Sequence, residues 1–168
     1  MVSPTPTKFP RCAQGPNALT FLKARSLIGF LLGLRDQLNK GIMHRVLIID
    51  DSSATRAYVR AALEEMSDMQ VSEAASGFDA LRILPRERFD LLLVDINMPN
   101  INGLELISFI RRSETHRDTP LLIISTEASE RDRSRAMTLG ANGYLAKPFT
   151  AEALAEAVRL IKKPVEGA

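Results

Sequence analysis

The chain has 168 residues, of which 45% are apolar and 25% charged, the balance of a globular domain with an appendage. Its one cysteine, Cys12, excludes a disulfide framework or a cysteine metal site and fits a reducing, cytoplasmic setting. The formal charge of +2 divides unevenly: residues 1–43 hold six basic residues and one acid, while residues 44–168 hold 16 basic and 19 acidic residues, so the globular part offers no electrostatic case for binding nucleic acid.

Met1 to Asn17 is rich in Pro, Ser and Thr and reads as disordered. Ala18 to Leu38 is helix-prone and apolar. Its longest uncharged run, Ser26 to Leu34, has nine residues, whereas a bilayer span needs about 20. Gly29 and Gly33 form a lone GxxxG, a weak signal in so short a run. Basic residues precede the run as in a signal peptide, but no small-residue cleavage site follows Leu34. Four readings of residues 1–43 stand side by side: an upstream artefact of a true start at Met43, a poorly ordered and loosely helical extension, an amphipathic helix for a membrane surface or partner, and a targeting peptide. Apolar residues surround much of the helical wheel, which counts against membrane contact.

From residue 44 a rhythm sets in of apolar run, turn and helical stretch. The runs are Val46–Ile49, Val71–Ala74, Leu91–Val94, Leu121–Ile124 and Tyr144–Ala146, starting 25, 20, 30 and 23 residues apart, room for a strand, a helix and two loops. The first, third and fourth are continuous, as parallel strands buried on both faces require. The second, interrupted by Ser72 and Glu73, reads as an edge strand. Between them lie five helical patterns. Ser53 is placed to cap the first, and Gly77 opens a short second that ends at Pro85. Leu104, Leu106, Ile107 and Ile110 mark the third, and Ser129–Leu139, closed by Gly140, is the fourth. The last, capped by Thr150, carries Leu154, Val158 and Ile161 before Pro164. Five β/α units imply an α/β sandwich with a parallel sheet. The expected organisation is an extension over 1–43, a domain over 44–163 and a tail over 164–168.

Chemistry concentrates at the ends of the apolar runs. Asp50 and Asp51 follow the first, and Asp95 follows the third. In a doubly wound sheet ordered 2-1-3-4-5 these strands are neighbours where the winding reverses, the place where such folds bind ligands. Three carboxylates a few ångströms apart cannot all stay ionised unaided, so either pKa values rise or a cation joins them. Oxygen donors in a partly open site suit Mg²⁺, and the Asn97 backbone carbonyl lies where it could contribute. Ser125 ends the fourth strand and Lys147 follows the fifth, adding a hydroxyl and a cation. Together these groups make a site for a phosphoryl group.

Four motifs give this arrangement a family resemblance: Val46-Leu47-Ile48-Ile49-Asp50-Asp51, Asp95-Ile96-Asn97-Met98-Pro99-Asn100, Ile124-Ser125-Thr126-Glu127-Ala128 and Gly143-Tyr144-Leu145-Ala146-Lys147-Pro148-Phe149. With these, residues 45–163 resemble a response-regulator receiver domain, similar to the single-domain chemotaxis regulators of the CheY type. The resemblance implies the flavodoxin-like strand order 2-1-3-4-5 and a cis Lys147–Pro148 bond. It implies Asp95 as phosphoacceptor, with Asp50, Asp51, Asp95 and the Asn97 carbonyl around Mg²⁺. Lys147 and Ser125 then stabilise the phosphoryl group, Ser125 and Tyr144 form the switch, and Asn97 and Glu127 tune dephosphorylation towards a short-lived phosphorylated state. The implied donor is a histidine kinase or a histidine phosphotransfer protein. The implied output is a protein-binding surface on the fourth helix, fifth strand and fifth helix, where Arg131, Arg133 and Arg135 lie. Asn102 stands where many relatives carry aspartate, outside the charge cluster.

Because the chain stops about five residues after the last helix, a stand-alone regulator is expected, with self-catalysed phosphoryl transfer rather than enzymatic turnover. A Mg²⁺-dependent phosphatase with an aspartate nucleophile is the alternative, but Asn97 occupies the position where such enzymes carry a second acid. A flavodoxin-like cofactor carrier would want a phosphate-cradling loop after the first strand, where Asp50 and Asp51 repel phosphate. His44 and His116 lack metal-ligand company and are expected at a strand start or in a loop.

Overall fold

The computed structural model describes residues 44–66, 68–126 and 129–162; the readings for residues 1–43, for Glu127 and for the tail lie outside the described residues. Five strands alternate with five helices: β1 (His44–Ile49), α1 (Ser53–Glu64), β2 (Met69–Ala74), α2 (Gly77–Ile83), β3 (Leu91–Asp95), α3 (Gly103–Arg112), β4 (Leu121–Ser125), α4 (Glu130–Thr138), β5 (Gly143–Ala146) and α5 (Ala151–Lys162). The strands form one parallel sheet in the order β2-β1-β3-β4-β5, as the resemblance implies.

The apolar runs become central strands because both of their faces are covered. β3 and β4 are buried at every position. Alternate residues serve opposite cores. Leu47, Ile49, Leu92, Val94, Leu121 and Ile123 join the core beneath α2, α3 and α4. Val46, Ile48, Leu91, Leu93, Leu122 and Ile124 join the core beneath α1 and α5, where Leu154 and Val158 close it. Each fully buried Leu or Ile stabilises by roughly 1.5–3 kcal/mol relative to exposure. β2 keeps only Ala74 fully buried, the pattern of an edge strand.

Helix starts follow capping chemistry. Ser52, not Ser53, caps α1 by accepting from Thr55 N; Ser53 is the first helical residue. The shift frees no donor, because either serine can supply the oxygen and the chain takes the one that leaves Asp50 Oδ1 to accept from Ser52 N at 2.8 Å. Asn102 and Glu105 form a reciprocal capping box at α3. The amide therefore performs the capping that an aspartate would perform there. Thr150 accepts from Ala153 N at the start of α5. Gly103 is required by a close approach, since a Cβ there would lie 2.3 Å from the Asp95 carbonyl oxygen. α3 thus begins hard against the end of β3.

The opposite end of the sheet is tied together by two polar residues. Arg111, on α3, donates to the carbonyls of His116, Arg117, Thr119 and Gly140 and to Asn142 Oδ1. His116 lies in the loop before β4, as expected, but its ring is buried, with Nε2 at 3.0 and 2.9 Å from the Leu84 and Glu87 carbonyls and Nδ1 at 3.2 Å from Thr119 Oγ1. Two carbonyls facing Nε2 require the proton there. His44 begins β1.

Candidate functional site: an acidic crevice at the carboxyl ends of the strands

The sheet order brings the strand ends together. Ile49 pairs with Val94, Asp95 with Ile124 and Ser125 with Ala146, so Asp50, Asp51, Asp95, Ser125 and Lys147 sit on adjacent strand termini. One side-chain oxygen from each of Asp50, Asp51 and Asp95 lies within 4.8 Å of the others. Asp50 and Asp95 are 2% and 4% exposed, so their charges are desolvated, while Asp51 is open to water.

Lys147 Nζ enters this cluster from the end of β5, 2.7 Å from Asp50 Oδ2 and 3.2 Å from Asp95 Oδ1. The Lys147–Pro148 bond that follows is cis. Burial nevertheless pushes the Asp95 carboxyl above its ordinary value; Lys147 draws it down, and Asp50 and Asp51 push it up again. The upward shift at Asp95 is therefore first an effect of burial, with the neighbouring carboxylates adding to it and one ammonium opposing it. The donor set fits a hard divalent cation: carboxylate oxygens only, with Asp51 facing solvent so that waters can complete the shell.

The other expected residues are distributed around this centre. Ser125 is fully buried one position beyond Asp95 in the register, next to Ala146. Asn97 lies two residues past Asp95 on the exposed rim, and its amide Nδ2 donates to Thr126 Oγ1 at 3.0 Å. Tyr144 pairs in register with Ile123 and packs against the core beneath α2, α3 and α4. Arg131, Arg133 and Arg135 are exposed on α4.

Sequence reasoning missed two groups of residues here. Arg56 donates from one guanidinium nitrogen to the Asp50 and Asp51 carbonyls at 2.8 and 3.3 Å, and its Nε is paired with Glu73 at 2.9 Å. Arg60, one turn along α1, pairs with the other Glu73 oxygen at 2.6 Å. The available signal was an acid in an edge strand together with two arginines at i, i+4 spacing on the preceding helix. The second is Thr126, whose hydroxyl meets Asn97 from the next loop; nothing in its own segment announces that contact.

A doubly wound parallel sheet with a carboxylate triad and a lysine at its switch point is an α/β domain with an acidic cluster where such folds bind ligands. The comparisons narrow the class. The family model of the response regulator receiver domain matches residues 46–159. The chain is 35% identical to chemotaxis protein CheY of Pseudomonas aeruginosa over 123 residues, covering 73% of this chain and 99% of that one. It is 38% identical to chemotaxis protein CheY-3 of Vibrio cholerae over 119 residues, covering 71% and 90%. Among solved structures, chemotaxis response regulator CheY4 of V. cholerae superposes with a TM-score of 0.67 at 34% identity, covering 71% of this chain and 98% of that one. The receiver domain of the sensor histidine kinase PA1611 of P. aeruginosa, described with a magnesium ion coordinated in its active-site cleft, gives 0.64 at 29% identity, covering 71% and 98%. The chain belongs to the response regulator receiver domain family and carries a CheY-like receiver domain of two-component signalling.

Proposed function

We propose that this protein carries a phosphorylation-controlled binding module in which Asp95 accepts a phosphoryl group. The observation that carries the reading is Lys147 Nζ bridging Asp50 and Asp95 inside the carboxylate triad. A buried aspartate beside a cation, in a cluster of carboxylates that reaches solvent at Asp51, supports the reading of Asp95 as the nucleophile.

Receiver domains take their phosphoryl group from histidine kinases. Here the donor is a phosphohistidine on a kinase or on a histidine phosphotransfer protein. An Asp95 carboxylate oxygen attacks phosphorus, the P–N bond breaks, and the histidine nitrogen leaves with the electron pair. Asp50, Asp51, Asp95 and the Asn97 backbone carbonyl would hold Mg²⁺, which when bound neutralises charge developing on the phosphoryl oxygens. The PA1611 receiver domain, with magnesium in its cleft, supports the same use of this acidic set. Lys147 leaves Asp95 for the phosphoryl oxygens, Ser125 donates its hydroxyl to them, and Tyr144 shifts with Ser125. Asn97 and Glu127 set the rate of hydrolysis. The charge at Asp95 biases two conformations of the face formed by α4, β5 and α5, where Arg131, Arg133 and Arg135 meet an acidic protein partner. The setting is cytoplasmic, where an ATP-dependent kinase generates its phosphohistidine. Among the described residues no helix is long and apolar enough to cross a membrane.

Beryllium fluoride, which caps a free carboxylate as an acyl-phosphate mimic, tests the switch. With Mg²⁺ present it should shift the backbone amide resonances of Ser125, Tyr144 and Lys147, and Asp95→Asn should abolish the shifts. Equal shifts without Mg²⁺ or in Asp95→Asn would refute the assignment.

A further inference from the structure

The hydrogen bond between Asn97 Nδ2 and Thr126 Oγ1, 3.0 Å long, joins residues 29 apart in sequence across the rim of the acidic crevice. It connects the loop after β3, which begins at the candidate nucleophile, to the loop after β4, which begins at Ser125. An amide has one donating and one accepting end. With its NH₂ group engaged by the Thr126 hydroxyl, the end of Asn97 left for a water molecule is the carbonyl Oδ1.

Resting on the assignment of Asp95 as phosphoacceptor, we infer that Thr126 is a positioning residue for hydrolysis of the aspartyl phosphate, acting through Asn97. In that step water's oxygen bonds to phosphorus and the P–O bond to Asp95 breaks. Its electron pair returns to the carboxylate, one water proton stays on the released phosphate and the other goes to solvent. A hydrogen bond from the attacking water to Asn97 Oδ1 aims the water's lone pair. The Thr126 hydroxyl holds the amide in the rotamer that offers Oδ1, so less freedom is lost when the water is bound. Both residues are exposed, so water competes for the tether. The effect is therefore that of a single solvated hydrogen bond, roughly two- to fivefold in rate.

Thr126→Val deletes the hydroxyl and keeps the shape; Thr126→Ser keeps the hydroxyl. The protein is labelled with acetyl phosphate and Mg²⁺, the donor is removed by rapid desalting, and loss of the phosphoryl mass is followed in time. Thr126→Val should decay about two- to fivefold more slowly than wild type and Thr126→Ser at the wild-type rate, and Thr126→Val should add nothing in an Asn97→Ala background. In the metal-free protein, nitrogen relaxation should show the Asn97 side-chain amide more ordered in wild type and Thr126→Ser than in Thr126→Val. Wild-type or faster decay in Thr126→Val, or independent slowing in the double variant, would overturn the inference while leaving the acceptor intact. A wild type that takes up no label would overturn the acceptor assignment and the role of Asn97 with it.

Discussion

Lys147 Nζ lies 3.2 Å from Asp95 Oδ1 although 52 residues of chain separate them. The same nitrogen is closer to Asp50, at 2.7 Å. The lysine is therefore shared between two buried carboxylates, with a third, Asp51, nearby in solvent. Under the proposed function, the longer contact, at Asp95, is the one that a phosphoryl group would replace.

Lys147→Met should destabilise the metal-free domain by on the order of 3–5 kcal/mol at pH 7, because Asp50 and Asp95 lose their cation while remaining buried. The loss should be smaller at pH 5 than at pH 7, the direction set by an Asp95 carboxyl that burial already raises, and saturating Mg²⁺ should recover part of it. Urea unfolding at the two pH values, with and without Mg²⁺, measures each part.

Asp95 itself imposes a cost. Burial, reinforced by Asp50 and Asp51 against the pull of Lys147, raises its carboxyl above the ordinary 3.8. The folded protein thus holds this proton more tightly than the unfolded chain does. The contribution of Asp95 to the stability of the metal-free protein should fall as pH rises from near 3.8 through the folded-state value, above which the cost is complete. Asp95→Asn should flatten this dependence and raise the metal-free Tm by a few degrees at pH 7. A pH series of thermal melts on the two proteins tests it.

Glu73 behaves in the opposite sense. Its hydrogen bond to Arg60, then that to Arg56, holds its carboxyl below the ordinary 4.5 against the effect of burial. The stability it contributes is present above pH 4.5 and is lost as pH falls through the folded-state value. Glu73→Gln should cost about 1 kcal/mol at pH 7, since both pairs are partly solvated. Wild type and variant should converge in acid. Mg²⁺ titration calorimetry on the same variant should show weaker binding, because Arg56 then holds the Asp50 and Asp51 carbonyls without its anchor.

Arg111→Lys should destabilise by about 2–4 kcal/mol, as a lysine's three donors cannot replace a planar fork that serves four carbonyls and Asn142. Gly140→Ala should be comparably damaging. Gly140 has φ of +105°, and an added Cβ would stand 2.9 Å from Arg111 Nε. Because Arg111 lies near the far end of α3 and Gly140 in the turn between α4 and β5, both away from the strand ends that carry the carboxylates, Mg²⁺ affinity of the folded variants should stay at the wild-type level, which calorimetry checks.

What was legible in the sequence is what the β/α rhythm encodes. β1, β3 and β4 announce themselves as continuous apolar runs because a central strand hides both faces. Asp50, Asp51, Asp95, Ser125 and Lys147 could be gathered into one place because each ends or follows a strand, and strand ends meet once the order is known. The contacts of Arg56 with Glu73, of Arg111 with Gly140 and of Asn97 with Thr126 were not legible. Each depends on where a long or rotatable side chain points across separate segments, which residue spacing along one element does not specify. His116 shows the same limit: its loop was legible, but its burial between the Leu84 and Glu87 carbonyls was not. The Ser52 cap was missed by one residue because two adjacent serines carry the same capping chemistry.

The most direct test of the central claim is intact mass after incubation with acetyl phosphate. Wild type with Mg²⁺ should gain a single phosphoryl group, mapped to Asp95 by borohydride reduction and peptide sequencing, and Asp95→Asn should gain none. Omission of Mg²⁺ should leave the wild type unlabelled over the same interval. Labelling that persists in Asp95→Asn, or that proceeds equally without Mg²⁺, would contradict the account.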